Sequence, residues 1–442
     1  MAKPRPSSSV AALYVEAVPI ASLRPRERNA RKHSKKQIRQ IAASIQEFGW
    51  TNPILIDKDG VVIAGHGRLE AAKLLGMTEV STLRLDHLTP EQVRAYVIAD
   101  NRLAEKSGWD QDMLRIELGE LAELDFDVRL TGFDTAEVDA IIVPMLDDED
   151  EPIEPELDKP ATTRLGDLWL MGTHRLYCGD STHAASYAGV LGDQRAEMVF
   201  TDPPYNVPIR GNVTTKDRHG EFVMASGEMT SEQFTTFLTS VFAQLATHSI
   251  DGSIHFVCMD WRHMGEMLAA SKDVYAELKN LCVWNKANAG MGSLYRSKHE
   301  FVFVFKAGTE AHINNVALGK HGRHRSNVWP YAGVNSPHKG RAQRLEMHPT
   351  VKPVTMIADA ILDCSNRNGW ILDAFGGSGS TLIAAETTGR RAALIELDPR
   401  YVDATVRRYE RLGKGQARLA ETGQTWAEVA ADRAVQPEVS HG

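Results

Sequence analysis

Ile371-Leu-Asp-Ala-Phe-Gly-Gly-Ser-Gly-Ser-Thr381 reads as an apolar strand, a glycine-rich turn and the start of a helix. Glycines in such a turn let backbone approach a ligand closely, and the following helix offers N–H groups that lack partners. The next apolar run, Ala392-Ala-Leu-Ile-Glu396, ends on a single acid 19 residues after Gly377. A carboxylate so placed can accept both hydroxyls of a ribose. The spacing is not that of a dinucleotide loop, and no lysine follows as a phosphate loop requires. The ligand this predicts is a nucleoside without a pyrophosphate. A plain strand-to-helix turn is the alternative for the loop by itself.

Working outward, strands are expected at 197–201, 253–257, 281–284, 301–305, 369–374 and 392–396, and helices at 231–246, 356–364, 380–388 and 401–411. This alternation predicts an α/β fold with a mostly parallel sheet covered on both faces. After the first of these strands comes Thr201-Asp-Pro-Pro-Tyr-Asn206. Two consecutive prolines lack N–H groups and continue neither a ladder nor a helix. They hold a rigid turn at the carboxyl end of the strand, where α/β sheets present ligands. The Asp202 carboxylate and the Pro203 carbonyl are then fixed acceptors for the two hydrogens of an aromatic amine. Holding those hydrogens out of the ring plane localises the nitrogen lone pair and makes it a nucleophile. Tyr205 offers a face on which a base can stack, at about 1–3 kcal/mol. Neither a metal nor a covalent nucleophile is called for, since positioning can supply most of the acceleration.

The 442-residue chain carries a net charge of -8, yet its charge is unevenly spread. Residues 286–352 hold eleven Lys or Arg against three acids, a local +8, and residues 24–39 hold eight basic residues and one acid. Phosphate binding needs local positive potential, not a positive total. The four cysteines are scattered without a Cys-x-x-Cys pair, so no zinc site or disulfide framework is expected and a reducing cytoplasm is the expected home. No apolar run reaches the length of about 18 residues that would suggest a membrane span. The stretch 147–160 holds eight acids and three prolines and reads as an extended linker. It separates a compact part at 15–146, after a disordered lead at 1–14, from a larger one at 161–415 with a tail at 416–442. In the smaller part a helix is expected from Ser34 to about Phe48 with Gly49 as its stop. Short strands are expected at 53–56 and 61–63 around Asp59-Gly60, another near 80–85, and a helix from Thr89-Pro90 to about 104.

These motifs resemble a known family. Asp202-Pro-Pro-Tyr205 and Phe375-Gly-Gly-Ser-Gly379 are similar to the catalytic and cofactor motifs of the DNA amino-methyltransferases, and their order resembles that of the beta group. His348-Pro-Thr-Val-Lys-Pro353 and Tyr177-Cys-Gly-Asp-Ser181 add two more matches, so the resemblance covers about residues 163–412. It implies a Rossmann-like, S-adenosylmethionine-dependent methyltransferase domain. Asp202, Pro203, Pro204 and Tyr205 would then be catalytic. Asp180, Thr350, Lys352, Asp373, Phe375, Gly377, Ser378, Gly379 and Glu396 would hold the cofactor, with Lys352 in the segment that helps hold its methionine end. Asp rather than Ser before Pro-Pro-Tyr favours adenine N6 over cytosine N4. The basic region 286–347 occupies the family's place for target recognition, and Arg296, Lys298, Lys320, Arg323 and Arg325 are candidates for phosphate or guanine contacts of double-stranded DNA.

The smaller part resembles the ParB-like α+β fold of chromosome-partition proteins through Val62-Ile-Ala-Gly-His-Gly-Arg-Leu-Glu-Ala-Ala72. In relatives a Gly-x-x-Arg box binds nucleotide phosphates. Gly65 and Arg68 match it, but His66-Gly67 replace the commoner Glu-Arg, which argues against nucleotide binding here. Three readings follow: an adenine-N6 DNA methyltransferase with a ParB-like accessory domain, the same enzyme acting on cytosine N4 or on RNA, or a non-enzymatic DNA-binding partition protein. Nothing in the chain argues for a homodimer, though the sequence is compatible with one.

Overall fold

The computed structural model describes residues 13–124, 126–143, 155, 160–207, 227–286, 294–316, 319, 323–332 and 352–435. The chain divides into two compact units, Met1–Ile142 and Val143–Gly442. Most of the acidic stretch 147–160 and much of the expected recognition region lie outside the described residues.

In the first unit, strands β1 (Val15–Pro19), β2 (Ile54–Ile56), β3 (Val62–Ala64) and β4 (Glu79–Arg84) form one sheet in the order β1-β4-β2-β3. Its helices are α1 (Lys35–Phe48), α2 (His66–Leu74), α3 (Pro90–Glu105), α4 (Gln111–Glu123) and α5 (Thr135–Ile142). The caps follow the sequence reading. Ser34 accepts from the Gln37 N–H, Gly49 ends α1 at φ 77°, and Thr89 with Gln92 forms a capping box for α3. A close approach explains Gly67 inside α2: a Cβ there would lie 3.0 Å from Ile41 Cδ1 and 3.1 Å from His33 Cε1. The basic run at 24–39 is partly spent within the unit, where Arg31 pairs with Glu105 and Lys36 with Asp134.

The second unit is built on a ten-stranded sheet. Its strands are β5 (Leu168–Met171), β6 (His174–Cys178), β7 (Ala196–Thr201), β8 (Ser249–Met259), β9 (Glu277–Asn285), β10 (His299–Lys306), β11 (Val328–Trp329), β12 (Trp370–Asp373), β13 (Arg391–Glu396) and β14 (Arg418–Leu419). Their order is β11-β9-β10-β8-β7-β12-β13-β6-β5-β14. The helices are α6 (Ala184–Leu191), α7 (Ser231–Thr247), α8 (Met264–Ser271), α9 (Val354–Cys364), α10 (Ser380–Thr388), α11 (Pro399–Arg411) and α12 (Trp426–Val435).

The expectation of a mostly parallel sheet holds for the centre, where β8, β7, β12, β13 and β6 run parallel. It needs correction at the margins. β10 enters antiparallel between β9 and β8, and β6, β5 and β14 follow one another antiparallel. At β5 and β6 a short connection causes this: two residues join the strands, too few for the crossover that a parallel neighbour requires. Two buried layers cover the faces of the sheet. One gathers α9, α10 and α11 residues such as Ile361, Leu382 and Val406, the other α6 and α7 residues such as Tyr187 and Phe242. This two-sided burial gives the central strands their near-continuous apolar sequences.

Candidate active site

The parallel strands β6, β7, β12 and β13 deliver their carboxyl ends to one edge of the sheet, the place where open α/β sheets bind ligands. An open cavity of about 210 Å³ lies there. Eleven of the expected site residues line it: Asp180, Asp202, Pro203, Pro204, Tyr205, Lys352, Asp373, Phe375, Gly377, Ser378 and Glu396.

One end of the cavity is formed by the glycine turn. Gly377 and Gly379 adopt φ 50° and 81°, a region that favours glycine. The turn is clamped from below by Asp373, which ends β12. Its carboxylate accepts from Thr201 Oγ1 at 2.9 Å, Thr381 Oγ1 at 2.6 Å and the Phe375 N–H at 3.0 Å. Burial pushes this carboxyl up to about 7 although those three donors oppose the shift. From behind, α11 grips the turn: Thr405 Oγ1 donates to Gly377 O at 2.9 Å and Arg408 to Ser378 O at 2.7 Å.

Glu396 ends β13 and accepts from the Gly377 N–H at 2.8 Å and the Asp398 N–H at 2.9 Å, one on each oxygen. A carboxylate has about four acceptor sites, so these backbone donors leave capacity for a ligand hydroxyl. Burial raises Glu396 to about 7 against those backbone donors. The Gly179 N–H donates to Glu396 O at 2.9 Å, which brings Asp180 to the same end; Asp180 in turn accepts from the N–H and hydroxyl of Thr182. Gly379 does not line the cavity, contrary to its expected cofactor role. Its N–H donates to Gly376 O, and a Cβ would meet Thr405 Cγ2 at 2.6 Å, so the turn and its contact with α11 require this glycine.

The other end holds Asp202 and Tyr205. Asp202 Oδ1 accepts from the Tyr205 hydroxyl at 2.8 Å and Oδ2 from Lys352 Nζ at 2.5 Å. Glu300, at the start of β10, lies within reach of both donors: its Oε2 is 3.0 Å from the Tyr205 hydroxyl and 3.2 Å from Lys352 Nζ. Lys286 pairs with its other oxygen. Burial alone would raise the Glu300 carboxyl, but the two ammoniums outweigh it and hold it at about 2. Asp202 is raised by burial despite Lys352. Both ammoniums lean on Trp284, at 4.7 Å and 5.9 Å from the ring centre.

Sequence reasoning missed Glu300 and Lys286 as site residues. Glu300 is one of only three acids in the basic stretch 286–352, a signal that was available. Lys352, expected beside the methionine end of the cofactor, is salt-bridged to Asp202 of the Asp-Pro-Pro-Tyr turn.

The expected DNA contacts separate into groups. Arg296 and Lys298 are exposed, just before β10 and Glu300. Lys320 and Thr350 lie outside the described residues. Arg323 and Arg325, expected as DNA contacts, are engaged within the protein. Arg323 binds Asp363 at 2.6 Å and Asp359 at 3.1 Å, and Arg325 binds Asp363 at 2.9 Å. Asp363 is buried on α9 and needs those cations, which are themselves largely covered. They fasten the segment before β11 to α9.

With this geometry in hand, the chain proves similar to known proteins in each part. It matches the DNA methylase family over residues 196–407, the ParB N-terminal domain over 5–101 and the ParB-methyltransferase HTH domain over 112–165. The type II methyltransferase M2.MboI of Moraxella bovis is 25% identical over 236 residues, covering 50% of this chain and 82% of that protein. The ParB-like nuclease domain-containing protein YnaK of Escherichia coli (strain K12) is 51% identical over 74 residues, 17% of this chain and 85% of that protein. A solved structure of the M1.HpyAVI–SAM complex is 17% identical with a TM-score of 0.40, covering 53% of this chain and 97% of that one. The family match over residues 196–407 identifies this part of the chain as a DNA methyltransferase domain. More closely, the chain carries a DNA methylase domain of the N6/N4 family, preceded by a ParB-type domain.

Proposed function

We propose that this chain transfers a methyl group from S-adenosylmethionine to N6 of adenine in double-stranded DNA. One observation carries the reading: Asp202 and Tyr205 line the same cavity as Glu396 and the glycine turn. The donor set suits the cofactor. Among the described residues six carboxylates line the cavity (Asp180, Asp202, Glu300, Asp373, Glu396 and Asp398) and Lys352 is the one cation. That balance favours a cationic nucleoside and disfavours a polyphosphate.

Glu396 would accept the ribose hydroxyls, and Asp180 would lie by the adenine of the cofactor. When bound, S-adenosylmethionine supplies an electrophilic methyl on a sulfonium. The protein's own contribution is to the acceptor base. Asp202 and the Pro203 carbonyl take the hydrogens of the amine and localise its lone pair. Tyr205 stacks a base turned out of the duplex. Arg296 and Lys298 would hold phosphates outside the anionic cavity. Asp as the first residue of the tetrapeptide supports adenine over cytosine.

The test is incubation with labelled S-adenosylmethionine and genomic duplex DNA, digestion to nucleosides and mass spectrometry. N6-methyladenine is expected. N4-methylcytosine would replace the base assignment, and no labelled base on any DNA would overturn the reading. The ParB-like unit would serve as a DNA-gripping accessory, expected to bind duplex DNA when residues 1–146 are present and more weakly when they are deleted.

A further inference from the structure

In this structure both oxygens of the Asp202 carboxylate already hold a protein donor. Oδ1 has the Tyr205 hydroxyl and Oδ2 the Lys352 ammonium. An incoming amine therefore meets an acceptor that is capped by a neutral donor on one side and by a full charge on the other. The charged bond, at 2.5 Å, is the stronger competitor.

A second acceptor stands ready for both donors. Glu300 Oε2 is 3.0 Å from the Tyr205 hydroxyl and 3.2 Å from Lys352 Nζ. The hydroxyl has a single hydrogen, so it donates to Asp202 or to Glu300 but not fully to both. The four charges, Asp202 and Glu300 against Lys352 and Lys286, sum to zero. The Lys352 and Glu300 side chains are only 5% and 14% exposed, so water is a poor substitute for either partner. Lys286 is fixed to the far oxygen of Glu300 and leaves Oε2 free for the exchange.

We propose that Glu300 is a positioning residue that draws the Lys352 ammonium and the Tyr205 hydroxyl away from Asp202 as the target amine arrives. This deepens the proposed amine methylation and rests on that reading of Asp202. In this role Glu300 acts on the base only through Asp202 and Tyr205. It acts by uncapping the Asp202 carboxylate, and by holding the Tyr205 ring through its hydroxyl while a base stacks. The exchange moves hydrogen bonds only: Lys352 keeps its existing pair with Glu300, the target amine takes the place of Lys352 on Asp202, and the cluster stays neutral.

The experiment measures single-turnover methyl transfer at saturating cofactor and duplex DNA, alongside separate binding constants for each. The full-length chain is compared with Glu300→Gln, Glu300→Gln/Lys286→Met and Asp202→Ala. Glu300→Gln retains size but loses the charge that attracts Lys352, so the transfer step should slow by more than about tenfold while both binding constants change by less than about threefold. The double variant restores charge balance without restoring the anionic acceptor, and should remain slow. Recovery to within about twofold of wild type would mean that charge balance was the whole effect, which overturns the proposal. So would a Glu300→Gln rate within about twofold of wild type. In that case an inactive Asp202→Ala leaves the methylation reading intact, whereas an active one sinks both. A crystal structure of the wild-type chain with a cofactor analogue and a flipped target base gives an independent answer. Lys352 should have left Asp202 Oδ2 for Glu300; Lys352 still on Asp202 beside a bound amine overturns the proposal.

Discussion

The two ends of the cavity are held by different forces. At the glycine turn, Glu396, Asp373 and Asp180 are positioned by backbone N–H groups and hydroxyls, most of them near in sequence or on adjoining strands. At the tetrapeptide, Asp202 is positioned by Lys352, 150 residues away, and by Tyr205, whose hydroxyl is shared with Glu300, 95 residues from it. Neutral donors leave the first pair of carboxyls at about 7 under burial, while two ammoniums hold Glu300 at about 2. On the proposed function, this difference would separate a fixed cradle for the cofactor from an exchangeable set of charges for the target base.

Breaking the catalytic end should give the largest effect. Asp202→Ala is expected to lower methyl transfer by at least about 10³-fold while cofactor affinity, read by calorimetry, changes by less than about twofold. A comparable loss of cofactor binding would merge the two ends into one. Glu396→Gln is the converse: cofactor affinity should weaken by about 2 kcal/mol, roughly 30-fold, with the saturated rate nearly unchanged.

The pH dependence sharpens the comparison. Glu396 is raised from 4.5 to about 7 by burial and must be ionised to accept two hydroxyls. Cofactor affinity should therefore fall as pH drops below 7, by about tenfold per unit, with proton release on binding. A raised folded-state carboxyl also stabilises the ligand-free protein below its unfolded value. That contribution, from Glu396 and Asp373, is lost as pH rises through about 7. Melting curves from pH 5 to pH 8 with and without cofactor would show the ligand-free protein losing stability and the complex regaining it. An affinity that does not change with pH would show that Glu396 does not bear the ribose.

Smaller effects are expected from residues that only support these ends. Thr405→Val removes the hydroxyl bonded to Gly377 O and should weaken cofactor binding by about 1 kcal/mol without touching DNA affinity. Arg296→Ala should weaken DNA binding and reduce its salt slope by about one, with cofactor affinity unchanged.

The legibility of each end follows from the same physics. The strand, turn and helix around Ile371–Thr381, the acid ending β13 and the rigid Pro203-Pro204 turn are short-range patterns, so their chemistry can be read directly along the chain. Helix caps such as Ser34, Thr89 and Gly49 are legible for the same reason, because a cap is satisfied within a few residues. Charge along the chain was a poorer guide. Arg323 and Arg325 read as a basic surface, but α9 turns Asp359 and Asp363 toward them. Glu300 read as one acid in a cationic stretch, but β10 entering antiparallel beside β8 delivers it to the tetrapeptide.

By itself, then, the sequence determined the α/β alternation, the glycine turn with its strand-ending acid and the Asp-Pro-Pro-Tyr turn, because each is a local arrangement of backbone geometry and acceptor groups. Only the tertiary structure decided which charges face one another. Ion pairs form between residues that folding brings within a few ångströms, and their partners at the site lie 14 to 150 residues apart.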